Sequence, residues 1–229
     1  MRIAVLLSLL SRAAGLSALS SPVAALESRL LSLAATASTP ASELEAVVAE
    51  LIESSGGGIE RPALSPLIEG DWRLAYTTKS DFDARNPLGR RSDQTVPGLE
   101  SLFPGAADAI AAASSSPIQR AVTAAFPVTQ SLYKLGSEGR VEQSVNTPLG
   151  ELNLNAAASV SAASPRRVSF AFDEGYLLLR GGVRLPYPVP FRLLGKEAEG
   201  WLDTDYLSER VRISTGNKGT TFVLERMVS

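Results

Sequence analysis

The 229-residue chain contains no cysteine and no histidine. Without thiols it can build neither a disulfide framework nor a thiolate nucleophile or metal site. Without imidazole it lacks the commonest general base and metal ligand, which excludes Ser-His-Asp hydrolysis and most zinc sites. Chemistry based on carboxylates or tyrosine is what remains open to a catalyst, and neither a metal nor a cofactor is implied. The net charge is −2 with no long basic run, which argues against nucleic acid as a partner. The apolar run at the start, Ile3 to Leu10, is eight residues long, whereas a membrane-spanning helix needs about 20. What the chain does have is 45% apolar residues, enough for a substantial core.

In chain order, residues 1–21 carry two arginines, five serines and no acidic residue, a composition that suits a targeting presequence. Residues 22–58 read as helical. Ser21-Pro22 is a helix start, with Leu26, Leu30 and Leu33 on one face, and a second helix opens at Thr39-Pro40 with Leu44, Val47, Val48 and Leu51 at helical spacing. The exposed face of that helix is acidic (Glu43, Glu45, Glu50, Glu53), which favours packing over one end of the following domain above lying on a membrane. Residues 59–229 read as that domain. Gly70-Asp71-Trp72 opens a strand that places Trp72, Leu74 and Tyr76 on one face. Residues 80–127 form a long loop insertion, with short helices expected near Gly98–Phe103 and Ala106–Ala113. From Pro127 strands follow in series: Val128–Leu135, Arg140–Asn146, Leu152–Val160, Arg167–Asp173 and Tyr176–Arg180. Leu154, Ala156, Ala158, Phe170 and Phe172 fall on the apolar side of the period-2 pattern, and the charged opposite side excludes an outer-membrane barrel. Pro186, Pro188 and Pro190 confine Val183–Leu194 to an edge, since proline cannot donate to a ladder. The last two strands, Ser208–Thr215 and Thr220–Leu224, make a hairpin through Gly216-Asn217-Lys218-Gly219. The total is about eight strands, the number that closes a small antiparallel barrel.

Two stretches carry a family resemblance. Asp203, Tyr206, Leu207, Arg212, Ile213, Ser214, Gly216, Asn217, Lys218 and Gly219 resemble the C-terminal signature of the plastid lipid-associated protein family, the plastid fibrillins. Leu67 to Thr78, with Gly70 and Trp72, resembles the start of the same family's barrel. Gly70-x-Trp72 is also similar to the lipocalin entry motif, in which the indole closes one end of the barrel under a late arginine, here Arg212 or Arg210; a guanidinium over an indole is worth roughly 0.5 to 2 kcal/mol. The resemblance implies a mainly β, lipocalin-like antiparallel barrel with the N-terminal helices packed on it.

It also implies a plastid location at thylakoids or plastoglobules and the binding of a lipid, carotenoid or prenyl quinone. The expected ligand-facing residues are Trp72, Leu74, Tyr76, Leu154, Phe170, Phe172 and Arg212. Two alternatives stand beside this reading. One is a non-catalytic scaffold, its barrel filled with side chains, that holds a prenyl-lipid biosynthetic enzyme as a plastid protein partner at a peripheral membrane. The other is an enzyme using Asp203, Asp205 and Tyr206 as acid and base, against which those groups are simply surface ion pairs.

Overall fold

The computed structural model describes residues 22–78, 126–186 and 198–228, apart from the single positions 37, 57, 149 and 218. The segment read as a targeting sequence, nearly all of the 80–127 insertion, Lys218 and the proline-rich stretch beyond Pro186 lie outside the described residues.

Two helices lead in. α1 spans Pro22–Ala35 and α2 Ala41–Ser54, with Pro22 in the first turn of α1, where its missing N–H costs nothing. Leu30, Leu44, Val47 and Leu51 are almost completely buried, so the apolar spacing of both helices is matched by their packing. Two 3₁₀ turns, Pro62–Leu64 and Pro66–Ile68, follow. Among the described residues no helix is long and apolar enough to cross a membrane.

Among the described residues there are nine strands: β1 Gly70–Thr77, β2 Val128–Tyr133, β3 Gly139–Asn146, β4 Gly150–Val160, β5 Arg167–Leu179, β6 Arg184–Pro186, β7 Glu199–Leu207, β8 Val211–Gly216 and β9 Thr221–Arg226. Every pairing is antiparallel, in the order β4-β3-β2-β1-β9-β8-β7-β5-β6, and β4 also pairs with β5. The last pairing turns the sheet into a closed ring of eight strands, with β6 attached outside it to the far half of β5. This is the up-and-down order of a lipocalin-like barrel. β6 is an edge strand, as the proline within it, Pro186, requires. The final hairpin closes with Gly216 N–H on the Thr220 carbonyl at 2.9 Å and Gly219 at φ +73°, a backbone state that glycine adopts freely.

Three expectations need correction. Arg167–Asp173 and Tyr176–Arg180 are one strand: Glu174 and Gly175 pair with Asn155 and Leu154 of β4, and a bulge between Asn155 and Ala156 absorbs the break in alternation. The helices lie against the side of the barrel and not over its end. They pack on Tyr76, Tyr206, Val211, Ile213 and Val223, on the outer wall made by β1, β7, β8 and β9. The end is filled instead by Ala63, Leu67 and Ile68 from the 3₁₀ turns, which join Trp72, Leu132, Val141, Ala156, Val168, Leu207 and Leu224 in the interior cluster. Finally, Tyr76 does not share the face of Trp72 and Leu74. A bulge between Leu74 and Tyr76 reverses its direction and puts it under the helices.

Candidate functional site

The site grows from the start of β1. Gly70 has φ +117°, and a Cβ there would stand 2.6 Å from Nη1 of Arg226. That guanidinium is fixed by main-chain carbonyls: Nη1 donates to Glu69 O at 3.0 Å, Nε to Glu209 O at 2.8 Å, and Nη2 to Leu67 O. The glycine of the Gly-x-Trp motif is therefore required both by its backbone angle and by the cation beside it.

Two residues on, Trp72 is fully buried and its Nε1 donates to Ile68 O at 3.0 Å. The guanidinium carbon of Arg212 lies 5.0 Å from the centre of its ring and that of Arg226 4.2 Å away. The pairing of Trp72 with Arg212 is as expected, and Arg226 is a second cation that the sequence reading missed. Its signal was available, because Arg226 sits two places beyond Leu224 in the inward alternation and pairs directly with Trp72. Arg210 points away, to Ser28 of α1.

Arg212 is only 1% exposed. Its Nη2 donates to Gln130 Oε1, and its Nε has no partner. Burial, and then the charge of Arg226, push its pKa down to about 9, so it remains a cation at neutral pH. Gln130 also lines a partly open cavity of about 110 Å³ with Gln143, Leu74, Phe170, Phe222 and Leu224. Gln130 and Gln143 face each other across β2 and β3. Both were missed; their signal is a polar residue at an inward position between apolar ones, as in Val128-Thr129-Gln130-Ser131-Leu132.

Of the expected ligand-facing residues, Leu74 and Phe170 line this cavity. Phe172 packs edge-on against Phe170, with ring centres 5.4 Å apart. Leu154 is half-buried opposite Gln143, outside the cavity lining, and Trp72 belongs to the plug. A shallow trough of about 650 Å³ crosses the outer wall near Ala157, Ser169, Ala171 and Trp201.

The acidic motif is occupied by structural contacts. Asp203 accepts from Nε and Nη2 of Arg167 at 2.8 and 2.7 Å, which holds its carboxyl below the usual range. The same guanidinium lies 3.7 Å from the ring centre of Trp201. Asp205 accepts from Arg166 and from Thr215, each at 2.6 Å. Tyr206 is turned by a bulge towards α1, where its hydroxyl donates to the buried Glu27 at 2.7 Å; burial, then this bond, push its pKa up. Leu207 joins the interior cluster, and Gly216, Asn217 and Gly219 form the turn, with Asn217 N–H on Trp201 O at 3.2 Å. Asp203, Asp205 and Tyr206 thus do not converge on one point.

A closed up-and-down ring with helices on one side, a Trp–Arg plug at one end and an apolar cavity beyond it is a small β-barrel of the lipocalin-like class. The PAP_fibrillin family model matches residues 117–225. It is 42% identical over 177 residues to the probable plastid-lipid-associated protein 12, chloroplastic, of Arabidopsis thaliana, an alignment covering 74% of this chain and 35% of that protein. It is 24% identical over 225 residues to the light-induced protein, chloroplastic, of Solanum tuberosum, covering 80% of this chain and 60% of that one. The chain therefore spans about a third of the first relative's length and three fifths of the second's. Both of these relatives are named as chloroplastic proteins. Among solved structures, a lipocalin-like protein of Bacteroides uniformis is 12% identical, covering 70% of this chain and 99% of that one at a TM-score of 0.34. So distant a likeness carries no argument.

Proposed function

We propose that this chain is a non-catalytic plastid protein that takes one end of an apolar or amphipathic small molecule, such as a lipid, carotenoid or prenyl quinone, into its barrel and associates with thylakoid or plastoglobule surfaces. In this reading residues 1–21 act as the targeting presequence. The observation that carries it is the unfilled cavity beside Leu74, Phe170, Phe222 and Leu224, apolar except at Thr129, Gln130 and Gln143, in a barrel whose other contents are packed side chains. Sites of this kind orient a ligand by a few polar groups in an apolar wall. The names of the relatives, plastid-lipid-associated among them, support the same direction.

The size of the cavity favours a second reading. Drug-sized ligands occupy roughly 300 Å³ or more, and 110 Å³ admits only the end of such a molecule unless the wall moves. A barrel that stays this small would act as a scaffold for a prenyl-lipid enzyme, presenting surfaces only. Titration with a fluorescent fatty acid and with a quinone analogue separates the two, repeated on Leu202→Phe, which fills the cavity wall. Saturable binding that the filled variant loses supports the container. Absence of binding to a folded parent leaves the scaffold.

A further inference from the structure

We infer that the buried pair Arg212–Gln130 is a receptor for an anionic head group, so that the preferred ligand is a carboxylate-bearing amphiphile that enters head first. The inference rests on the container reading above and names the class of ligand within it.

Arg212 is a buried cation, and no carboxylate among the described residues pairs with it. The charge that acts on it is a like one, Arg226. A buried ion without a counter-ion is costly, and proteins normally provide the partner. This chain does so for several of its more exposed arginines, Arg166, Arg167 and Arg73 among them. At Arg212, the most buried arginine among the described residues, no described carboxylate takes that place.

A purely structural role over Trp72 does not account for that omission. Arg226 stands closer to the same ring and has main-chain carbonyls on all three of its guanidinium nitrogens. Arg212 has one amide oxygen, and its Nε is unpartnered. Donors are therefore in excess where the interior is otherwise apolar.

Gln130 stands between Arg212 and the cavity: its Oε1 accepts from the guanidinium, which leaves its Nε2 as a donor, and its side of the barrel is continued by Gln143. At roughly 30 Å³ for each water, the 110 Å³ cavity has the volume of about four waters, room for a carboxylate and its first methylenes. The head would accept from Gln130 Nε2, or displace the amide and pair with the guanidinium in the bidentate manner that arginine and carboxylate favour. The tail would leave along Leu74, Phe222 and Leu224. A neutral ligand of the same length would fill the same apolar wall but leave Arg212 uncompensated.

The test uses delipidated protein, fluorescent cis-parinaric acid and its methyl ester, which differ only in the head. Near pH 8 the acid should bind at least tenfold more tightly than the ester, and Arg212→Gln should bring the acid down to the level of the ester. Because Arg212→Gln removes a plug residue and can cost folding, Gln130→Leu is measured beside it and should reduce the ratio of acid to ester affinity by at least threefold. Equal binding of acid and ester by the parent overturns the head-group inference and leaves the container intact. Binding of neither by a folded parent overturns the container reading and the inference with it. A folded Arg212→Gln protein that retains the tenfold preference refutes the role of Arg212.

Discussion

Truncating Trp72 to alanine tests the plug most directly. The side chain is fully buried, so its removal deletes the largest interior contact and leaves a cavity; for tryptophan in a core that costs roughly 3 to 5 kcal/mol. Two guanidinium contacts are lost as well, each worth roughly 0.5 to 2 kcal/mol, and the Ile68 carbonyl loses its donor at roughly 1 to 3 kcal/mol. These contributions overlap and do not add, so the total is expected at roughly 4 to 6 kcal/mol, against a whole-domain stability on the order of 5 to 15. Trp72→Phe keeps much of the ring and loses the Nε1 bond, and should cost about half as much. Urea unfolding followed by fluorescence is a clean readout, because the chain has two tryptophans and Trp201 remains as the reporter in both variants. A loss below about 1 kcal/mol for Trp72→Ala would refute the claim that this residue closes the barrel.

Gly70→Ala should destabilise by roughly 1 to 3 kcal/mol through its positive φ and should displace Arg226, seen as a changed near-ultraviolet dichroism of Trp72. Tyr206→Phe should cost roughly 1 to 3 kcal/mol because Glu27 is left buried without its donor, and adding Glu27→Leu should restore part of that loss in thermal melts. Asp203 contributes pH-dependent stability: its folded pKa is depressed, so the contribution is fully present above the unfolded value of about 3.9 and is lost as pH falls through the folded one. Asp203→Asn should accordingly melt below the parent at pH 7, with the gap closing on acidification below about pH 4.

Much of the fold was legible because it follows from alternation and turn chemistry. The 216–219 turn and the helical spacing of Leu44, Val47, Val48 and Leu51 needed only local rules, whereas the pairing of Trp72 with Arg212 was expected from the resemblance to the lipocalin entry motif. What escaped is what bulges do. A bulge leaves no residue type as its mark, and three of them, at Leu74/Tyr76, Asn155/Ala156 and Thr204/Tyr206, turned Tyr76 and Tyr206 towards the helices and fused two expected strands into β5. Gln130 and Gln143 escaped for a different reason. A polar residue on an inward face reads as an interruption until the register shows two of them side by side beneath a buried arginine.

The ring is supported differently on its two halves. β3 and β4 share eight paired positions and β4 and β5 share eleven, whereas β1, β7, β8 and β9 meet one another through five each. Those short seams are the ones that α1 and α2 lean on, and β8 is buried on both faces as a result. One half of the hoop is held by its own stitching and the other by a buttress. Loosening the helices therefore relaxes the hoop on their side alone, and its girth can change there while the β3–β4–β5 wall keeps its shape.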